Sequence, residues 1–262
     1  MPEKQQYNNF LKQFIAYLFI MVIFFACSSK KAAIKDASLY DAGARFEDVN
    51  EKIKKKDYEK AREILGDIKA RDTSKEYAAL AQIRIGDTYF EEGEYEEAVT
   101  EYEAFLNLHT YHKYAPYAQY QVAMSYYKRI SGADTSYSLA KLALAEFEKL
   151  QKQYPRNPYM EITEKRIKVC KDTLAEYELY VGKFYLKKGS YTAAAERFTN
   201  LLRLYPDSNS EPEALFNLGL AYKDIGDKEK AINVLTTLNE KFPTIKLSRQ
   251  AREILVSLKV KK

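Results

Sequence analysis

Three stretches of this chain repeat one another at fixed offsets, and that periodicity limits the fold more than any other feature. They read IGDTYFEEGEYEEAVTEYEAFL from Ile85, VGKFYLKKGSYTAAAERFTNLL from Val181 and LGLAYKDIGDKEKAINVLTTL from Leu218. Each carries Gly, then Tyr three residues on, Gly four after that, Ala five further, and apolar residues four and seven beyond. Offsets of three, four and seven share one face of a helix. The second Gly is the residue that ends a helix with left-handed backbone. Each stretch therefore predicts two helices joined by a tight turn. Gly93, Gly189 and Gly226 end the first helix; Ala98, Ala194 and Ala231 sit at the crossing of the second.

Two weaker copies fit the same register. DYEKAREILGDI supplies a second helix with Ala61 at the crossing, and residues 122–127 with 139–150 supply another pair, with Ala123 at the Gly position and Ala143 at the crossing. The crossing alanines at 61, 98, 143, 194 and 231 are spaced 37, 45, 51 and 37 apart. This pattern resembles the tetratricopeptide repeat, whose period is about 34 residues. The resemblance implies an all-α superhelix of about five helix pairs, with Gly86, Gly182 and Gly219 where a facing helix comes close and Tyr89, Tyr185 and Tyr222 filling the gap between helices. Eight of the extra residues enter around SGADTSYS as a longer turn. The largest step comes from an unbroken helical pattern over residues 159–188, about 45 Å at 1.5 Å per residue, with Ile162, Ile167, Cys170, Leu174 and Tyr177 on its apolar side. A long helix is thus expected before the fourth repeat, with Cys170 as a buried thiol. Helices are expected to close at Tyr154-Pro155, Tyr205-Pro206 and Phe242-Pro243, because proline cannot continue them. Asp207 and Ser208 are expected to supply turn and capping chemistry for the helix that follows.

The first 26 residues are of another kind. Lys4 and Lys12 precede Phe14–Ala26, thirteen residues without a charge. That run is shorter than the ~20 residues a transmembrane helix needs and fits a signal-peptide core. Ala26 then stands directly before Cys27, in FFACSSKK. The arrangement is similar to a bacterial lipobox, although Phe24 stands where Leu is usual. The resemblance implies cleavage and lipidation at Cys27; the alternative is a plain secretory signal or uncleaved anchor with an incidental cysteine. The expected organisation is a lipoprotein signal peptide over 1–26, a lipidated tether over 27–38, repeats one to three over 39–158, and the long helix with repeats four and five over 159–262.

Little in the chain suggests catalysis. His109 and His112 are the only histidines and lack a partner at metal-ligand spacing; there is no phosphate loop and no nucleophile elbow. Neither a cofactor nor a metal is expected. Basic residues number 42 against 37 acidic and are scattered, so no nucleic-acid footprint is predicted. With 46% hydrophobic residues and few Gly and Pro, and with the repeats expected to leave no residues over for a catalytic domain, the chain reads as a helical binding protein.

At DTLAEYELYVGKFYLKKGSY and RLYPDS the likeness is closer than to the generic repeat. There the chain resembles the BamD family of outer-membrane lipoproteins, parts of the β-barrel assembly machinery, and the likeness spans most of the mature chain. It implies anchoring on the periplasmic face of the outer membrane and docking of a POTRA-bearing barrel subunit onto the C-terminal repeats. It implies further that Arg197, in AAAERF, takes part; on spacing alone Arg197 is an exposed residue making an i,i+4 pair. The turn Arg71-Asp72-Thr73-Ser74 and residues Ala104 and Asn107 depart from the family pattern. Counting first-helix positions gives a candidate peptide groove at Ile83, Phe90, Tyr117, Tyr120, Met124 and Tyr127, and a more charged fourth repeat at Glu176, Leu179, Lys183 and Leu186. Aromatic side chains with polar tips suit an extended peptide. The resemblance makes the C-terminal strand of a nascent outer-membrane protein the candidate occupant, while packing against a neighbouring repeat is the other use of those tyrosines. The alternative function is a lipid-anchored repeat adaptor for cell-envelope coordination, secretion or gliding.

Overall fold

The computed structural model describes residues 40–72, 76–130 and 136–260. The signal segment 1–26, Cys27 with its tether 27–38, and part of the SGADTSYS turn lie outside them. Within the described residues the chain is all-α. Its helices are α1 (Ala42–Lys54), α2 (Tyr58–Arg71), α3 (Glu76–Glu92), α4 (Tyr95–Leu108), α5 (Ala115–Lys128), α6 (Ser136–Gln153), α7 (Met160–Lys187), α8 (Tyr191–Leu204), α9 (Glu211–Ile225), α10 (Lys228–Lys241) and α11 (Lys246–Val260). The chain divides into two compact units, one ending at Thr88 and one beginning at Tyr89.

In the first unit α1 and α2 pack together. Asp41 caps α1, its carboxylate accepting from the Ala44 N–H at 3.1 Å. Val49 of α1 and Ala61, Leu65 and Ile68 of α2 are fully buried, as a repeat with its crossing alanine at 61 requires. Arg45 pairs with Asp67 across the two helices at 2.7 Å. Gly66 sits in mid-α2 on the exposed side, and a Cβ built there meets nothing within 4 Å.

The second unit is a run of consecutive neighbours: each helix from α4 to α11 packs on the next, and α9 also touches α7 and α11. The crossing alanines Ala98, Ala143, Ala194 and Ala231 are all fully buried. Gly93, Gly189 and Gly226 have φ of 91°, 76° and 93°, the left-handed backbone predicted for a helix end. The first-position glycines explain how closely the helices meet. A Cβ on Gly182 would lie 2.4 Å from the Phe198 ring, and one on Gly219 2.4 Å from Leu235. Phe198 is itself fully buried among Ala175, Leu179, Ala195, Leu201 and Leu218, so the ring has nowhere to retreat. Gly182→Val is therefore expected to destabilise the chain by about 1–3 kcal/mol through overpacking. Gly66→Ala, at an open helical position, should stabilise it by about 1 kcal/mol. Chemical denaturation of the two variants beside the parent checks the opposite signs.

The long helix runs from Met160 to Lys187, within a residue of the range read from the sequence. Its N-terminal half packs Ile167 and Cys170 against Ala123, Met124, Ala143 and Phe147; its C-terminal half packs Ala175 and Leu179 against α8 and α9. Cys170 is fully buried, and burial pushes its thiol up to about 12. Helices α6, α8 and α10 end one residue before the expected aromatic-Pro pairs. Tyr154, Tyr205 and Phe242 each donate a backbone N–H to the carbonyl four residues back, at 2.9 Å.

Two expectations need correction. Asp207 and Ser208 form the turn, Asp207 with a left-handed φ of 60° and the Ser208 carbonyl accepting from the Glu211 N–H at 3.0 Å, but their side chains do not cap α9; the N-cap position is Ser210, with no side-chain cap bond. The buried Glu211 serves that turn instead, accepting from the Asp207 N–H at 3.2 Å and from Lys241 at 2.6 Å. The sequence reading also contained no helix after the fifth repeat, whereas α11 covers it. Ala251 is fully buried, with Leu247, Ile254, Leu255 and Leu258 packed against Leu215, Leu235 and Leu238. Because α9 contacts both α7 and α11, α11 occupies the place of a sixth first helix. An array needs such a closing element, since its last repeat otherwise leaves a core face open.

Candidate functional site

The residues predicted as a peptide groove separate into two groups. Ile83, in the first unit, and Met124, in the second, are only 5% and 6% exposed. They are core residues, not groove lining: Met124 is held by Ile167 and Cys170 from the long helix. At Met124 the generic count fails because the N-terminal half of α7 packs on α5 and α6, where a standard repeat has no such extension.

Phe90, Tyr117, Tyr120 and Tyr127 are half-buried, and their neighbours are largely aromatic. Tyr120 stacks on Tyr159 with ring centroids 4.6 Å apart and planes 13° from parallel; Tyr117 lies 6.2 Å from the same ring. Tyr127 accepts a hydrogen bond from Arg166 at 3.0 Å, with the guanidinium 4.7 Å from its ring centroid. Burial raises the Tyr120 hydroxyl above its usual range, partly countered by Arg166. Phe90 packs edge-on to Tyr95, 5.3 Å away. These four side chains thus contact the neighbouring helix and still keep part of their surface in water.

Arg197 has a partner that spacing did not reveal. It projects from α8 onto α7, where Nη1 donates to Glu178 Oε2 at 3.2 Å. The two ends of the pair sit in different surroundings: the Glu178 side chain is 8% exposed and that of Arg197 is 40%. The hydrogen bond to Glu178 raises the guanidinium's pKa above its usual value against the opposing effect of burial, and Tyr185 and Tyr177 reinforce the rise. A buried carboxylate thus fixes the root of a cation whose outer edge faces solvent. Such a cation is already oriented, so a second acidic group approaching from outside meets it with little ordering cost.

The surface beside this pair was missed by the sequence reading. The fourth repeat was expected to present Glu176, Leu179, Lys183 and Leu186. Leu179 is in fact buried, and Lys183 is tied to Glu213 at 2.6 Å. The apolar residues that reach solvent are Tyr177, Tyr180 and Phe184, at 39%, 71% and 51% exposure. Their spacing of three and seven puts them on one stripe of α7. Tyr137 of α6 packs on Tyr177 at 4.4 Å, and Lys188 lies 5.7 Å from the Phe184 ring centroid. Lys183, Lys187 and Lys188 leave the stripe's C-terminal end basic. Within EYELYVGKFYLKK the stripe turns away from the buried Leu179 and Gly182, and Tyr177, expected on the apolar side with Leu174, lies at its margin, 39% exposed.

Comparison with known proteins adds an independent line. Residues 39–237 match the model of the YfiO family, described as outer membrane lipoprotein. The chain is similar to the outer membrane protein assembly factor BamD of Rickettsia prowazekii, 31% identical over 235 residues, covering 88% of this chain and 91% of that one. It is also similar to proteins of the same name from Caulobacter vibrioides, at 26% identity with 78% and 65% covered, and Neisseria gonorrhoeae, at 24% with 83% and 86%. Among solved structures it is similar to the TPR2AB domain of yeast Sti1 in a complex with pHSP90, at TM-score 0.43 and 15% identity, covering 84% of this chain and 83% of that one.

Proposed function

The chain belongs to the YfiO family of outer membrane lipoproteins, and from that premise we propose that it is a non-catalytic scaffold of the β-barrel assembly machinery. In this reading Cys27 carries the lipid, the anchored chain lies on the periplasmic face of the outer membrane, and α7 with α8 docks the periplasmic POTRA domains of the barrel subunit. The observation that carries it is the half-exposed Arg197, held by the buried Glu178 next to the exposed stripe of Tyr177, Tyr180 and Phe184. Interfaces concentrate their energy in this combination of Arg and aromatic side chains. The basic end of the stripe favours a partner that offers carboxylates among apolar residues.

The half-buried tyrosines at 117, 120 and 127 form the second working surface, where the C-terminal strand of a nascent outer-membrane protein would lie. Nothing in this scheme transfers energy. The scaffold acts by favouring the partner conformations it binds most tightly.

The test in cells is depletion of the chain followed by complementation. The parent should restore the level of β-barrel proteins in the outer membrane. Cys27→Ala should fail to do so from the periplasm, or do so only when overproduced. Normal barrel levels throughout depletion would rule out the assembly role and leave secretion or envelope coordination as the remaining uses of an anchored repeat protein.

A further inference from the structure

The turns at one end of α4 and α6 form a second exposed patch, unrelated to the Arg197 face. Leu108 is 75% exposed, Tyr111 fully exposed and Tyr114 39% exposed. This turn is not loosely held. His109 and His112 rest on the buried Phe105 ring at 5.1 and 5.5 Å, and the Tyr154 hydroxyl donates to the Thr110 carbonyl at 3.1 Å. That last bond joins the turn before α5 to the turn before α7. The fold thereby holds the turn that carries the fully exposed Tyr111.

The charge of the joined turns has one sign. No acidic residue occurs between Glu103 and Asp134, nor between Glu148 and Glu161. Lys113, with its ammonium 5.1 Å from the Tyr114 ring centroid, lies in the first segment; Lys152 and Arg156 lie in the second, and all three are exposed. Tyrosines with a leucine and several cations, and no carboxylate, make up the composition of a segment that sits at the headgroup level of a bilayer.

We propose that the patch around Leu108, Tyr111 and Lys113 touches the anionic phospholipid surface of the membrane to which the chain is anchored. The inference rests on the reading of Cys27 as lipidated, because a tether makes even a weak contact effectively intramolecular. The contact would hold the second unit near the membrane in one orientation.

The chain has no tryptophan, so Tyr111→Trp introduces a single reporter. The full lipidated chain is reconstituted into vesicles of phosphatidylethanolamine and phosphatidylglycerol that carry shallow brominated acyl chains. Tyr111→Trp emission should shift to the blue and be quenched, and both effects should fade when phosphatidylcholine replaces the anionic lipid or salt is raised. Tyr180→Trp, on the docking stripe, should stay unquenched. Reversing Lys113, Lys152 or Arg156 to Glu should weaken the contact by about fivefold or more each. Unshifted, unquenched emission from a chain that floats with the vesicles overturns the proposal. So does a shift that arises only when barrel subunit is added, which would assign the patch to a protein. A chain that does not float refutes the anchor; an excess of the same vesicles that then still shifts Tyr111→Trp emission upholds the contact, and one that leaves it unshifted overturns it.

Discussion

Phe198→Ala is expected to lower the unfolding free energy by about 3–5 kcal/mol, the usual cost of removing a buried ring from a site that cannot collapse. Three observations put it in that range. The ring is fully buried, it fills the contact with Gly182 on the facing helix, and it lies in a cluster drawn from α7, α8 and α9. Helix backbone surrounds the vacancy on the α7 side, so relaxation is limited. In a repeat array stability passes between neighbours, and loss at α8 should also weaken the packing of α9 and α10. Urea denaturation followed by circular dichroism gives the number, and a change under ~1 kcal/mol would mean the repeats do not share this core.

Arg197→Glu is expected to weaken binding of the barrel subunit's POTRA domains by about 2 kcal/mol or more, roughly thirtyfold. The substituted acid removes the oriented cation and faces the buried Glu178 with a like charge. Because the Arg197 side chain is 40% exposed, solvent screens much of that repulsion, and the cost to folding should be nearer 1 kcal/mol. Tyr180→Ala separates docking from folding. Its side chain is 71% exposed, so stability should change by less than about 0.5 kcal/mol, while affinity falls by an amount comparable to Arg197→Glu. Titration calorimetry against a POTRA fragment measures the affinities, and urea denaturation the stabilities. Unchanged affinity in Tyr180→Ala would remove the stripe from the interface even if Arg197 remained in it.

Most of the fold was legible because the repeat writes its packing into small residues. Gly182 and Ala194 are small since Phe198 and a facing helix occupy the space, and Gly226 is left-handed because a helix must stop there. The long helix was legible because nothing between residues 160 and 181 can break it. The closing helix α11 was not, since a half-repeat lacks the Gly-Tyr-Gly-Ala signature and reveals itself only by its apolar face. The site was less readable than the fold. Glu178 and Arg197 are 19 positions apart and meet only through the crossing of α7 and α8. Met124 was assigned to a surface by a count that holds for a 34-residue repeat; here an extended helix buries it. The repeat count places the fourth repeat's face at Glu176, Leu179, Lys183 and Leu186 and the helical spacing puts Tyr177 on the apolar side, so neither predicts the stripe of Tyr177, Tyr180 and Phe184.

The most direct test of the scaffold role is recovery of the tagged, lipidated chain from its own membranes in mild detergent, with its partners identified by mass spectrometry. A POTRA-bearing barrel protein should come back in near-stoichiometric amount with the parent and be depleted with Tyr180→Ala. Recovery of a secretion or peptidoglycan-linked partner in its place, with no barrel protein, would contradict the assembly role while leaving the repeats as described.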